Sequence, residues 1–137
     1  MRHTAPRFRQ LPPLARVLVP AALVLSAAGV VTASRLTPGP SLDPLLAVAA
    51  ATLCTGANLF EVMAPGNYSF QPNLVFFFWA AVLLPAWALA PLAVLCFLPG
   101  ALARRSRWYM PAFNAANYAL AGLVAHVIVS AAPVRDE

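Results

Sequence analysis

Four polar side chains recur at every third position in one apolar stretch: Thr52, Thr55, Asn58 and Glu61. A helix turns about 100° per residue, so each step of three drifts by about 60° and the stripe slants around the helix. It ends in a carboxylate. An ionisable group inside an apolar helix marks a functional site by default, because burying its charge in lipid is costly. Two readings stay open. One is helix packing, with the threonines bonded to their own helix, Asn58 bonded across a contact and Glu61 wetted by headgroups. The other is a ligand or ion site. A second polar group lies in the last apolar stretch, at Asn114, Asn117, Tyr118 and His126. In helical projection Asn114, Tyr118, Ala121 and Ala125 share a face, Asn117 lies about 60° to one side, and Gly122 and His126 flank the other. Small residues let helices approach closely and amides bond across the contact. His126 reads as a packing residue rather than a proton relay. Asn58, Glu61, Asn114, Asn117, Tyr118 and His126 together form the candidate intramembrane polar or ligand site.

Little else in the chain offers chemistry. Cys54 and Cys96 lie in apolar runs without CxxC or Cys/His spacing, so they read as small buried hydrophobes rather than metal or redox ligands. There is no phosphate loop, nucleophile elbow, HExxH or dinucleotide fingerprint. Of the four acids, Asp136 and Glu137 stand in the tail, Asp43 precedes a proline, and only Glu61 adjoins an apolar run, so no acid–base pair is available. The expectation is a protein that is not an enzyme and takes no cofactor or metal.

The elements that must position these residues are set by composition. Hydrophobic residues make up 61% of the chain and charged residues 9%, against about 25% charged in soluble domains. A chain this apolar expects lipid as its solvent, and each crossing of a 30 Å hydrocarbon core takes roughly 20 apolar residues. The expected fold class is all-α: a multi-pass transmembrane helical bundle of about four spans with a proline-broken third segment. Residues 1–16 form a basic cytoplasmic leader. The transmembrane domain covers 17–132, with spans at about 17–34, 44–63, 74–99 and 111–132. Residues 133–137 are a charged tail. The basic leader followed by 17–33 also fits a secretory signal with cleavage after Ala33, but an uncleaved first span is the expectation. Asp43 and Pro44 suit an N-cap and first helical position, and Pro111 suits the start of the last span.

The uncharged run from Leu74 to Ala103 is about 30 residues, long for one span and short for two. Pro85 and Pro91 each remove a backbone donor, so a break is expected at or near one of them. Either one kinked helix crosses here, which is the expectation, or two half-helices form a re-entrant hairpin. The choice sets the topology. All nine Lys+Arg residues are arginine and the net charge is +5. With four simple spans the leader arginines and the Arg104–Arg107 loop fall on opposite sides, leaving almost no charge bias. With a hairpin they share a side. The arginines flank apolar runs instead of forming a stripe with aromatics, which excludes nucleic acid as a partner. Arginine without lysine, beside abundant alanine and proline, points to a GC-rich bacterial genome.

From Glu61 to His126 the chain resembles the N-terminal membrane region of bacterial signalling proteins that carry GGDEF or HD-GYP output domains. The resembling elements are the polar loop PGNYSFQPN, the aromatic run LVFFFWAAVLLP, the basic connector RRSRWYMP and AFNAANYALAGLVAH, in which Phe113 and Asn114 open a span. The likeness covers about half of the chain. It implies a truncated or stand-alone sensor module of the inner or plasma membrane, without cyclic-dinucleotide chemistry because no output sequence is present. The rival readings are a small-solute binding or uptake-transporter subunit and a structural membrane partner. The expected partners are the lipid bilayer and a second copy or another membrane protein.

Overall fold

The computed structural model describes residues 8–37, 41–59, 62–64, 68–70 and 72–132. Five helices make the body: α1 Pro13–Leu36, α2 Pro44–Leu59, α3 Asn73–Leu83, α4 Ala86–Ala103 and α5 Tyr109–Ala131. Helices α1, α4 and α5 are long and apolar enough to cross a membrane, whereas α2 and α3 are shorter apolar helices. These dimensions make the chain a helical membrane protein. A 3-10 turn at Phe8–Gln10 precedes α1.

Local chemistry explains the boundaries. α1 starts with Pro13 at its first position, where the missing N–H has no intrahelical partner in any case. It ends before Thr37, whose hydroxyl and N–H both bond the Ala33 carbonyl; Thr37 precedes Pro38, which disfavours helical backbone there. Asp43 caps α2 as its position implies, accepting the N–H of Leu45 at 2.8 Å. α2 stops at Leu59, short of the residue 63 expected from hydropathy. Val62–Ala64 instead pair with Tyr68–Phe70 as an antiparallel two-stranded ribbon, Met63 opposite Ser69. α5 begins at Tyr109, so Pro111 sits inside its first turn.

The 74–99 segment is where expectation and structure part. It is not one kinked crossing. α3 ends at Leu83, Leu84 is extended with φ −99° and ψ 151°, and Pro85 precedes α4. Pro85 cannot donate to the α3 ladder and pushes Leu84 out of the helical region. Pro91, by contrast, lies within α4. Asn73 at the start of α3 touches Cys96, well along α4, with Nδ2 to Sγ at 3.4 Å. The two arms therefore run antiparallel, as the re-entrant hairpin requires.

Contacts fix the direction of the other helices. Tyr118 of α5 meets Asn73, and His126 meets Ala81, so α5 runs alongside α3. Gly29 of α1 faces Leu120 and Leu123, and the Phe8 ring lies 5.4 Å from that of Trp108, so α1 runs with α5. Cys54 and Asn58 of α2 both meet Cys96 of α4. Chain direction thus alternates from each helix to the next. Five arginines among the described residues, Arg9, Arg16, Arg104, Arg105 and Arg107, gather at one end, with Arg35 and Asp43 at the other.

The core is built from small residues and a few large ones. Phe77, Leu84 and Leu89 are the largest apolar side chains buried almost completely, among Ala50, Ala80, Ala81, Ala86 and Ala93. Gly122 permits the closest approach: a Cβ there would lie 2.7 Å from Cε1 of Phe77. The outer surface is apolar, with Leu45, Val24, Val75 and Ile128 exposed, which suits lipid and not water. The packed face of α5 carries Ala115, Ala119, Gly122 and His126. That face is rotated toward the Gly122–His126 flank from the Asn114–Tyr118 face expected in projection.

Candidate functional site

A polar node lies where α2, α3, α4 and α5 meet. Asn73 is its hub and is fully buried. Its Nδ2 donates to Asn58 Oδ1 at 3.2 Å and approaches Cys96 Sγ, while its Oδ1 accepts from Tyr118 Oη at 3.0 Å. Asn58 Nδ2 donates to the Cys96 carbonyl at 2.9 Å, and the Cys96 thiol points at the Cys54 carbonyl at 3.3 Å. The Tyr118 ring stands edge-on to Phe77 and Phe97, with centroids 5.3 and 4.8 Å away, a favourable arrangement of aromatic quadrupoles. One amide thus ties the start of α3 to three other helices.

Two further bonds share a cause in proline. In a helix the carbonyl of residue i accepts from the N–H of residue i+4. Pro85 has no N–H for the Ala81 carbonyl, and His126 Nδ1 lies 2.9 Å from that oxygen. A carbonyl can only accept, so the proton of this contact sits on Nδ1. Pro99 has none for the Leu95 carbonyl, and the Thr55 hydroxyl donates to it at 3.2 Å. Backbone groups freed inside a membrane must find partners within the protein. Side chains of the facing helices supply them. Thr52 bonds its own helix, at Val48. His126 Nε2 is buried without a hydrogen-bond partner among the described residues.

The proline account carries a coupling prediction. Thr55→Val is expected to cost about 0.6 kcal/mol, the average for such bonds in membrane proteins. In a Pro99→Ala background the Leu95 carbonyl regains an intrahelical donor, and the same change should cost close to nothing. Unfolding in mixed micelles of the four proteins measures the cycle; equal costs in both backgrounds would refute the link.

Of the six expected site residues, the five that the structure describes do not gather in one place. Asn58 and Tyr118 are joined, through Asn73, which sequence reasoning did not single out. Its signal was weak: an amide directly after Pro72, at the edge of a loop. His126 forms its own contact farther along α3. Asn117 is exposed, and Asn114 is exposed at the rim of a cavity of about 230 Å³ that Asn58, Arg104 and Ser106 also line. Glu61 lies outside the described residues. Cys54 and Cys96 are buried, as expected, but Cys96 is also part of the polar node.

The connector between α4 and α5 has a defined shape. Ser106 N–H bonds the Ala101 carbonyl and Arg105 N–H that of Leu102, the paired bonds of a Schellman turn. Arg105 takes the left-handed position, φ 48°. This holds Arg104, Arg105 and Arg107 in a tight turn. A second cavity, about 530 Å³, opens between α1, α4 and α5 and reaches from this turn along α4. No known protein-family model, curated protein or solved structure matches the chain.

Proposed function

We propose that the chain is a non-catalytic integral protein of the bacterial cell membrane, a sensor-type module with its arginine-rich end in the cytoplasm. The observation that carries the reading is the one-sided charge. Once the 74–99 segment turns back, the described start of the chain at 8–16 and the Arg104–Arg107 loop share an end. Arginine bias of this kind retains loops on the cytoplasmic side. The interior polar groups bond to the helix break and to one another, which supports a scaffold or signalling role over catalysis. On this reading all five helices enter the bilayer, α3 as a short arm. The resemblance over 61–126 supports the signalling half. α5 runs from the arginine loop toward the opposite end. The small-solute reading draws support from the polar cavity beside Asn58, Arg104 and Asn114.

Two measurements on one pair of variants test this. Ser106→Cys and Ser41→Cys are treated with a membrane-impermeant maleimide in intact cells. Labelling is expected at 41 from outside, and at 106 only after permeabilisation. The reverse pattern rejects the orientation. A photo-crosslinker placed at 106 is then expected to capture a cytoplasmic signalling protein with a cyclic-dinucleotide output domain; capture of copies of this chain alone would reject the sensor role.

A further inference from the structure

We propose that the groove between α1, α4 and α5 is a binding site for one anionic phospholipid, with an acyl chain in the groove and the phosphate at the Arg105–Arg107 turn. The groove encloses about 530 Å³, within the roughly 300–1,000 Å³ of small-ligand sites. Its wall on α4 extends from Leu102 to Ala90, roughly 18 Å at 1.5 Å per residue. One leaflet of a 30 Å hydrocarbon core is about 15 Å deep. The groove is therefore as long as one leaflet, the reach of an acyl chain anchored at the headgroup level.

Its chemistry changes along that length in the order a phospholipid does. Farther from the turn it is lined by Leu23, Val94, Leu98 and Ala119, with the small hydroxyl of Ser26 among them. The alanines of α5 leave the space open: Ala115 and Ala119 face it with one methyl each. The mouth has Ser106 and Trp108, and Trp108 is exposed, as interfacial tryptophans are. Arg105 and Arg107 flank Ser106 and are exposed. The Schellman turn holds this part of the backbone at the groove's open end. Basic groups beside a crevice between membrane helices select anionic headgroups. An apolar helix of a second copy would fill the groove without using the arginines, and so predicts no headgroup preference.

The test is native mass spectrometry of the full chain released from a neutral detergent, titrated with phosphatidylglycerol, phosphatidylcholine or glycerol phosphate. Phosphatidylglycerol is expected to bind about 25-fold more tightly than phosphatidylcholine, from about fivefold for each of two arginines. Glycerol phosphate, lacking chains, should not bind. Arg105→Gln with Arg107→Gln should bring the two lipids to equal affinity. Val94→Trp, on the half-exposed rim, and Ala115→Leu, on the floor, should each weaken both lipids at least tenfold, with helicity checked by circular dichroism. If only Val94→Trp folds, it decides the point. Equal binding of the two lipids by the wild type, a preference that survives loss of both arginines, undiminished binding in the folded groove variants, or lipid-free dimers would each overturn the proposal.

Discussion

Asn73→Leu is expected to destabilise the bundle by about 3 kcal/mol, the sum of lost interhelical bonds and a stranded polar partner. The substitution keeps the forked outline of the side chain at a fully buried position but adds bulk, because each methyl is larger than an amide nitrogen or oxygen. The Tyr118→Phe cycle separates the bonding loss from that packing cost. Asn73 contacts Asn58, Cys96 and Tyr118, and bonds between membrane helices average about 0.6 and reach about 1.7 kcal/mol each. The change also takes from Asn58 Oδ1 the amide that donates to it; Asn58 is only part-buried, so the orphaned oxygen adds about 1 kcal/mol, the low end for such groups. Tyr118→Phe removes one bond and should cost about 1 kcal/mol in the wild type but close to zero beside Asn73→Leu. Reversible unfolding in mixed micelles reads all four proteins. A cost below about 0.5 kcal/mol for Asn73→Leu, or additive behaviour with Tyr118→Phe, would show that the node does not hold the bundle.

His126→Ala is expected to cost about 3 kcal/mol through two separable parts. One is the Ala81 carbonyl left by Pro85 without a donor, about 1–3 kcal/mol. The other is the space vacated by a ring that is only 4% exposed, where unfilled volume costs about 24 cal/mol per Å³. Substitutions separate them. His126→Leu refills the space without a donor and should recover only the second part. His126→Asn places an amide near the Nδ1 position and should recover part of the first. Hydrogen exchange localises the damage: the amides of 80–84, at the end of α3, should exchange faster in the alanine variant while those of α1 remain protected. Full recovery with leucine would mean that the Ala81 bond contributes nothing and that His126 acts only by filling space.

These two residues mark where the sequence was legible and where it was not. Membrane class, helical content, the Asp43–Pro44 start of α2 and a proline break in the 74–99 segment all follow from local pattern. Apolar run length, capping chemistry and a missing N–H act over a few residues, and each can be read where it stands. The histidine was visible as a lone polar group in an apolar run, and Thr55 as part of a stripe. Their partners were not visible. Ala81 and Leu95 matter only as carbonyls, and a carbonyl freed by a proline four positions later has no side-chain signature. Asn73 becomes the hub only because the chain reverses at Leu84–Pro85 and sets the start of α3 beside Cys96. A proline specifies that a helix is interrupted but not the angle at which the next one departs. A kink and a full reversal remove the same hydrogen bond, so the choice between them lies in long-range terms: the fit of Phe77 against Gly122, the His126 bond across the break and the amide node at the far end. The same reversal decided the charge pattern. Nine arginines were countable in the sequence, but whether Arg104, Arg105 and Arg107 join the leader's end depended on the direction of one helix, which only packing among all five determines.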